Sequence, residues 1–105
     1  MSEVNQVEIS KAKMLRGAII EKLYEFYGED ISLEVLKGVL RISFYGYNPE
    51  KEIKKAIYYL GGPQKEYVKL VLDSEDYMKS IIWLTPRGVN LAEGDLEDIG
   101  VMKDE

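Results

Sequence analysis

Among its 105 residues this chain has no histidine and no cysteine, and so no imidazole base, no thiol nucleophile and none of the usual soft metal ligands. Residue type alone therefore excludes zinc sites, disulfides and Ser-His or Cys-His catalysis. Carboxylates, lysine, tyrosine and serine remain for chemistry. Their most pointed arrangement is Lys51, Lys54, Lys55 and Tyr58, at i, i+3, i+4 and i+7. On a helix this spacing gathers three cations and a phenol on one face, opposite Ile53, Ala56, Ile57 and Leu60. Lysines make salt-dependent contacts to phosphates, and Tyr58 adds a hydroxyl and a flat apolar ring for a sugar or base edge. The plainer reading is a solvated face of an amphipathic helix, held by Glu50–Lys54 and Glu52–Lys55 pairs.

Charge distribution bears on that choice. The chain carries 14 Lys+Arg against 19 Asp+Glu, a net charge of −5, which is not the basic profile usual for a nucleic-acid binder. The charge is nevertheless segregated. From Lys37 to Lys69 seven cations (Lys37, Arg41, Lys51, Lys54, Lys55, Lys65, Lys69) face three carboxylates (Glu50, Glu52, Glu66), a local +4, and the remainder is −9. The excess coincides with the Lys51–Tyr58 face and favours double-stranded DNA as a partner. Lys69, and Arg87 further on, extend the candidate contacts. Opposing them is Asp73-Ser74-Glu75-Asp76, a tetrad with three carboxylates and no cation.

Apolar residues make up 46% of the chain and charged residues 31%, enough to bury roughly two-thirds of the unfolded surface in one domain. Met1 to Gln6 shows no basic leader, and no run approaches the roughly 18 apolar residues of a membrane span. A cytoplasmic protein without a membrane partner is expected. Residues 1–9 read as a loose arm. Ser10 caps a first helix from Lys11 to about Tyr27, with Leu15, Ala18, Ile19, Leu23 and Phe26 on one side and Ile20, Tyr24 and Tyr27 on the other. Ile31 offers one short strand pairing, and Ser32 caps a second helix from Leu33 to Arg41. Asn48-Pro49 opens a third, which Gly61-Gly62-Pro63 ends. Glu66–Leu72 and Tyr77–Leu84 then form a β-hairpin with its tip at residues 73–76. Thr85-Pro86 opens a last short helix, closed by Gly94, and residues 95–105 are an acidic tail.

Three helices, a hairpin and a short helix make an α+β chain with the element order of a winged helix-turn-helix domain, which residues 10–94 resemble. The most specific segment is Leu84-Thr85-Pro86-Arg87-Gly88-Val89-Asn90-Leu91, similar to the Leu-Thr-x-x-Gly-x-x-Leu that closes the wing in many winged-helix regulators. With Tyr45-Gly46-Tyr47, Tyr58-Tyr59-Leu60 and Glu93-Gly94, the chain is similar to small winged-helix proteins encoded in phages and prophages. The resemblance implies a DNA-binding transcription regulator whose third helix enters the major groove while the hairpin touches the backbone or minor groove. Its rival is a winged-helix protein-interaction module that binds no DNA, and the acidic hairpin tip favours that rival.

Other residues are read more simply. Asp73, Glu75 and Asp76, and separately Asp95, Glu97 and Asp98, lack the spacing of a calcium loop and are expected to be solvated surface carboxylates. No cofactor, metal or catalytic residue is assigned, and no enzymatic activity is expected. Trp83 is expected to cover the core. Ile20, Tyr24 and Tyr27 form a second apolar stripe, expected either to take Leu96, Ile99, Val101 and Met102 of the same chain or to form a homodimer interface.

Overall fold

The computed structural model describes residues 6–40 and 48–103. The segment 1–5, the segment 41–47 with Arg41 and Tyr45-Gly46-Tyr47, and residues 104–105 lie outside the described residues.

The first helix, α1 (Gln6–Glu25), begins at Gln6 rather than Lys11, so the expected arm is helical from that point and Ser10 lies inside the helix. No residue between Gln6 and Ser10 breaks a helix, and Glu8 in the first turn suits the positive end of the helix dipole. Phe26 and Tyr27 form a turn after the helix, and Gly28 supplies the left-handed backbone (φ 96°) that redirects the chain. Leu15, Ile19, Ile20 and Leu23 are all buried, because α1 is packed on more than one side. Each such side chain is worth about 1.5–3 kcal/mol when removed from water.

Ile31–Ser32 forms a short strand, β1, and the Ser32 hydroxyl accepts from the Val35 amide at 3.1 Å to cap α2 (Leu33–Val39). Leu40 leaves the helix in an extended conformation, so α2 ends before Arg41. Asn48 Oδ1 accepts from the Lys51 amide at 3.1 Å and, with Pro49 in the first turn, starts α3 (Pro49–Leu60). The strands β2 (Val68–Val71) and β3 (Ile81–Leu84) pair antiparallel with Val68 opposite Leu84 and Val71 opposite Ile81. β1 joins the other edge of β3, giving the order β1-β3-β2. Thr85 caps α4 (Pro86–Glu93), its hydroxyl accepting from the Gly88 amide and donating to the Glu66 carbonyl. Gly94 ends that helix with φ 88°. The α+β class thus holds, with four helices and a three-stranded antiparallel sheet among the described residues.

The hairpin differs from expectation on its returning side. Tyr77–Lys79 is a 3-10 turn, not strand, and the connection between β2 and β3 runs from Leu72 to Ser80. Local capping wins over β propensity there: Asp76 Oδ1 accepts from the Met78 amide at 3.0 Å, and Met78 inserts into the core. The buried Ser80 hydroxyl accepts from the Asp73 amide at 3.0 Å.

Residues 95–103 are docked rather than forming a free tail. Val101 and Gly100 are buried, the Met102 amide donates to the Lys13 carbonyl at 3.0 Å, and Arg16 donates to the Gly100 carbonyl at 2.9 Å. A Cβ on Gly17 would overlap the Met102 carbonyl, so only glycine allows this approach to α1.

Candidate nucleic-acid interface

On α3 the stripe Ile53, Ala56, Ile57 and Leu60 is buried against the core, which turns Lys51, Lys54, Lys55 and Tyr58 outward. Tyr58 is 86% exposed, the most exposed aromatic of the described residues. The expected Glu50–Lys54 pair does not form. Glu50 instead accepts from Lys37 at 2.9 Å, and that hydrogen bond raises the Lys37 pKa. Lys54 is left to lie 5.0 Å from the centre of the Tyr77 ring, whose own hydroxyl is held neutral to higher pH by burial. Lys55 makes the expected contact to Glu52, at 3.9 Å between an exposed ammonium and a half-buried carboxylate, a long contact of little energetic weight.

Not every cation of the +4 segment is free. Lys65 meets Asp98 at 3.0 Å, a bond that raises its pKa, and Lys37 is held by Glu50. Arg87 donates from Nε to the Lys65 carbonyl at 2.8 Å and lies 5.5 Å from the Tyr67 ring. Its remaining guanidinium donors stay on an exposed side chain. Lys51, Lys54 and Lys69 have no ion pair among the described residues.

Two grooves connect these side chains. One runs between α3 and β2 and is walled by Lys54, Ile57, Tyr58, Leu70, Leu72 and Tyr77. The second lies on the outer face of the sheet between Glu66, Lys69, Trp83, Thr85, Pro86 and Arg87. Lys69 borders both, so the α3 face and the Arg87 side form one continuous surface. Trp83 belongs to that outer face and does not cover the core. Alternation along β3 buries Ile82 and Leu84 and turns Trp83 the other way, opposite Lys69. Strand parity held this information, since Leu84 precedes the capping Thr85 and must point inward.

The acidic hairpin loop is built by its own carboxylates. Asp73 Oδ2 accepts from the amides of Asp76 at 2.9 Å and Glu75 at 3.0 Å, and these bonds hold its carboxyl below the usual range. Asp98 departs furthest from the solvated carboxylate expected, with a side chain only 4% exposed. It accepts from Tyr67 Oη at 2.7 Å, Tyr59 Oη at 2.8 Å and the Gly100 amide at 2.8 Å, beside Lys65. Burial pushes its carboxyl up, but these donors outweigh burial and hold it far below the ordinary value. Arg16 stacks 4.1 Å from the Tyr59 ring and completes the clasp. No group of three metal-ligating side chains occurs among the described residues.

The expected stripe on α1 divides between one buried residue and two exposed ones, with Tyr24 40% exposed. Ile20 is fully buried, and Tyr24 donates to Glu93 at 2.6 Å, which raises its pKa. Tyr27 remains 52% exposed. Residues 100–102 occupy another part of α1, at Lys13, Arg16 and Gly17. No described helix is long and apolar enough to cross a membrane. The chain matches no protein-family model, no curated protein and no solved structure.

Proposed function

We propose that this chain is a winged-helix module that binds duplex DNA through the outer face of α3, in the manner of a transcription regulator. The observation that carries the reading is Tyr58: a large aromatic left 86% exposed in the midst of Lys51, Lys54 and Lys55. An exposed ring surrounded by cations suits a sugar and base edge between phosphates. Lys69 and Arg87 flank that face across the two grooves and supply further phosphate contacts. The hairpin loop, with Asp73, Glu75 and Asp76, is directed away from the phosphates in this reading.

The test is binding of the full chain to random duplex DNA at several salt concentrations. Affinity falls with salt, and K51A/K54A/K55A lowers the magnitude of the log–log slope by roughly three, at about 0.9 for each phosphate that is no longer neutralised. Tyr58→Ala weakens binding at every salt concentration with little change of slope. A wild-type chain with no DNA affinity at low salt refutes the proposal and leaves the protein-interaction reading, which the acidic loop favours.

A further inference from the structure

Trp83 is the only tryptophan of the chain, and its place on the outer face of the sheet is not explained by packing of the core. The indole is half-buried in the cleft that it forms with Glu66, Lys69, Thr85, Pro86 and Arg87. Among the described residues no buried side-chain nitrogen or oxygen lacks a partner. The Trp83 Nε1–H makes no hydrogen bond there, so this donor reaches solvent.

Cations flank the indole. Lys69 stands directly across from Trp83 in the β2–β3 ladder, exposed and without an ion pair among the described residues. Arg87 is held by its Nε bond to the Lys65 carbonyl and by the Tyr67 ring, which orients its free Nη donors in advance. Lys65 itself is paired with Asp98 and adds no free charge. The Thr85 hydroxyl is already engaged by the Glu66 carbonyl and the Gly88 amide. Glu66 is exposed at the border with the α3 groove, and its carboxylate counts against the cations. The balance of the cleft stays positive, and a carboxylate beside an indole accepts from a base N–H. A flat ring between cations is the arrangement that binds single-stranded nucleic acid, with a base on the ring and phosphates on the cations.

We infer that this cleft holds an unpaired DNA base stacked on Trp83, with the adjoining phosphates at Lys69 and Arg87. The bases of an intact duplex are stacked on both faces and cannot reach an indole set in a cleft, so the base comes from a single-stranded stretch. Lys69 and Glu66 border both grooves, so a strand that leaves a duplex on α3 passes round the edge of β2 to reach Trp83. The preference for such a junction rests on the duplex reading of α3, whereas the cleft itself does not.

The single tryptophan reports on the cleft directly. Titrating the full chain with a short oligothymidylate quenches Trp83 fluorescence saturably, and the affinity falls as salt is added. Anisotropy of the fluorescein-labelled strand then compares variants, each shown to be folded by circular dichroism. W83L weakens binding roughly tenfold and W83F restores most of the loss, because a flat ring is needed and apolar bulk is not enough. K69A/R87A, at two exposed side chains, lowers the magnitude of the salt slope by roughly 1.4, at about 0.7 for each phosphate on a single strand. An abasic strand with the same phosphates binds roughly tenfold more weakly and leaves Trp83 unquenched. A duplex with an oligothymidylate tail binds wild type more tightly than the blunt duplex does, and the advantage disappears in W83L. Absence of quenching at low salt, equal affinity for the abasic strand, or an unchanged salt slope in K69A/R87A overturns the inference, and tighter binding of oligouridylate overturns the assignment to DNA. Quenching by oligothymidylate without any affinity for blunt duplex supports the cleft and refutes the duplex reading of α3, whereas blunt-duplex binding without quenching does the reverse.

Discussion

Replacing Asp98 by alanine removes one carboxylate and strands the groups that converge on it. Tyr67 is only 2% exposed, so its hydroxyl has no water to turn to, and an unmet buried hydroxyl costs about 1–3 kcal/mol. Tyr59 is half-buried and recovers part of its bond from solvent, and Lys65, with a side chain 34% exposed, rehydrates. The Gly100 amide adds about 1 kcal/mol. The expected loss is roughly 3–4 kcal/mol, in the range for breaking a buried pair by removing one partner and well below the sum of four charge-assisted bonds. Urea unfolding followed by Trp83 fluorescence measures it. D98N, which keeps one acceptor oxygen, loses roughly half as much. The decisive comparison adds Y67F: without the stranded hydroxyl, Y67F/D98A is more stable than D98A by about 1 kcal/mol. A D98A loss under about 1 kcal/mol, or strict additivity with Y67F, refutes the reasoning.

Acid should act through the same group. The folded Asp98 carboxyl lies below its unfolded value of about 4, so its contribution is complete above that pH and shrinks as pH falls toward the folded value; Asp73 acts in the same direction. Thermal unfolding therefore shows Tm dropping below about pH 4, with a flatter profile in D98N, and equal slopes for the two proteins would contradict this. Gly17→Ala places a methyl group on the Met102 carbonyl and should lift residues 100–103 from α1. Hydrogen exchange then shows the Met102 amide losing protection while the Ile82 amide, paired with β1, keeps it.

What could be read in the chain without coordinates was local. Ser32, Asn48 and Thr85 each accept a hydrogen bond from an amide three residues on, as their placement before helical stripes implies. Gly94 takes the left-handed conformation that closes α4. The α3 stripe, and with it the outward lysine face, followed from the helical period alone. What was missed depends on distant partners. Nothing near Asp98 in sequence announces Tyr59 and Tyr67, and Glu50 chose Lys37 across the fold over Lys54 on its own helix. Tyr77-Met78-Lys79 has strand-forming composition, yet Asp76 and Ser80 bracket it with side-chain bonds to the backbone that a strand would forgo. Trp83 lies on the outer face because strand parity along β3, with Ile82 and Leu84 inward, decides its side.

The clasp around Asp98 also sets how costly it is to use the face of α3. Tyr59 follows Tyr58 directly in the last turn of that helix, and its ring is fixed by the Asp98 carboxylate on one side and the Arg16 guanidinium on another. The rotation of α3 about its axis is thereby settled before any ligand arrives. A partner meeting Lys51, Lys54, Lys55 and Tyr58 has only side-chain freedom to arrest, so the entropy of orienting the helix is already spent in folding. A buried carboxylate that touches no partner in this way becomes part of the affinity of a surface it does not belong to.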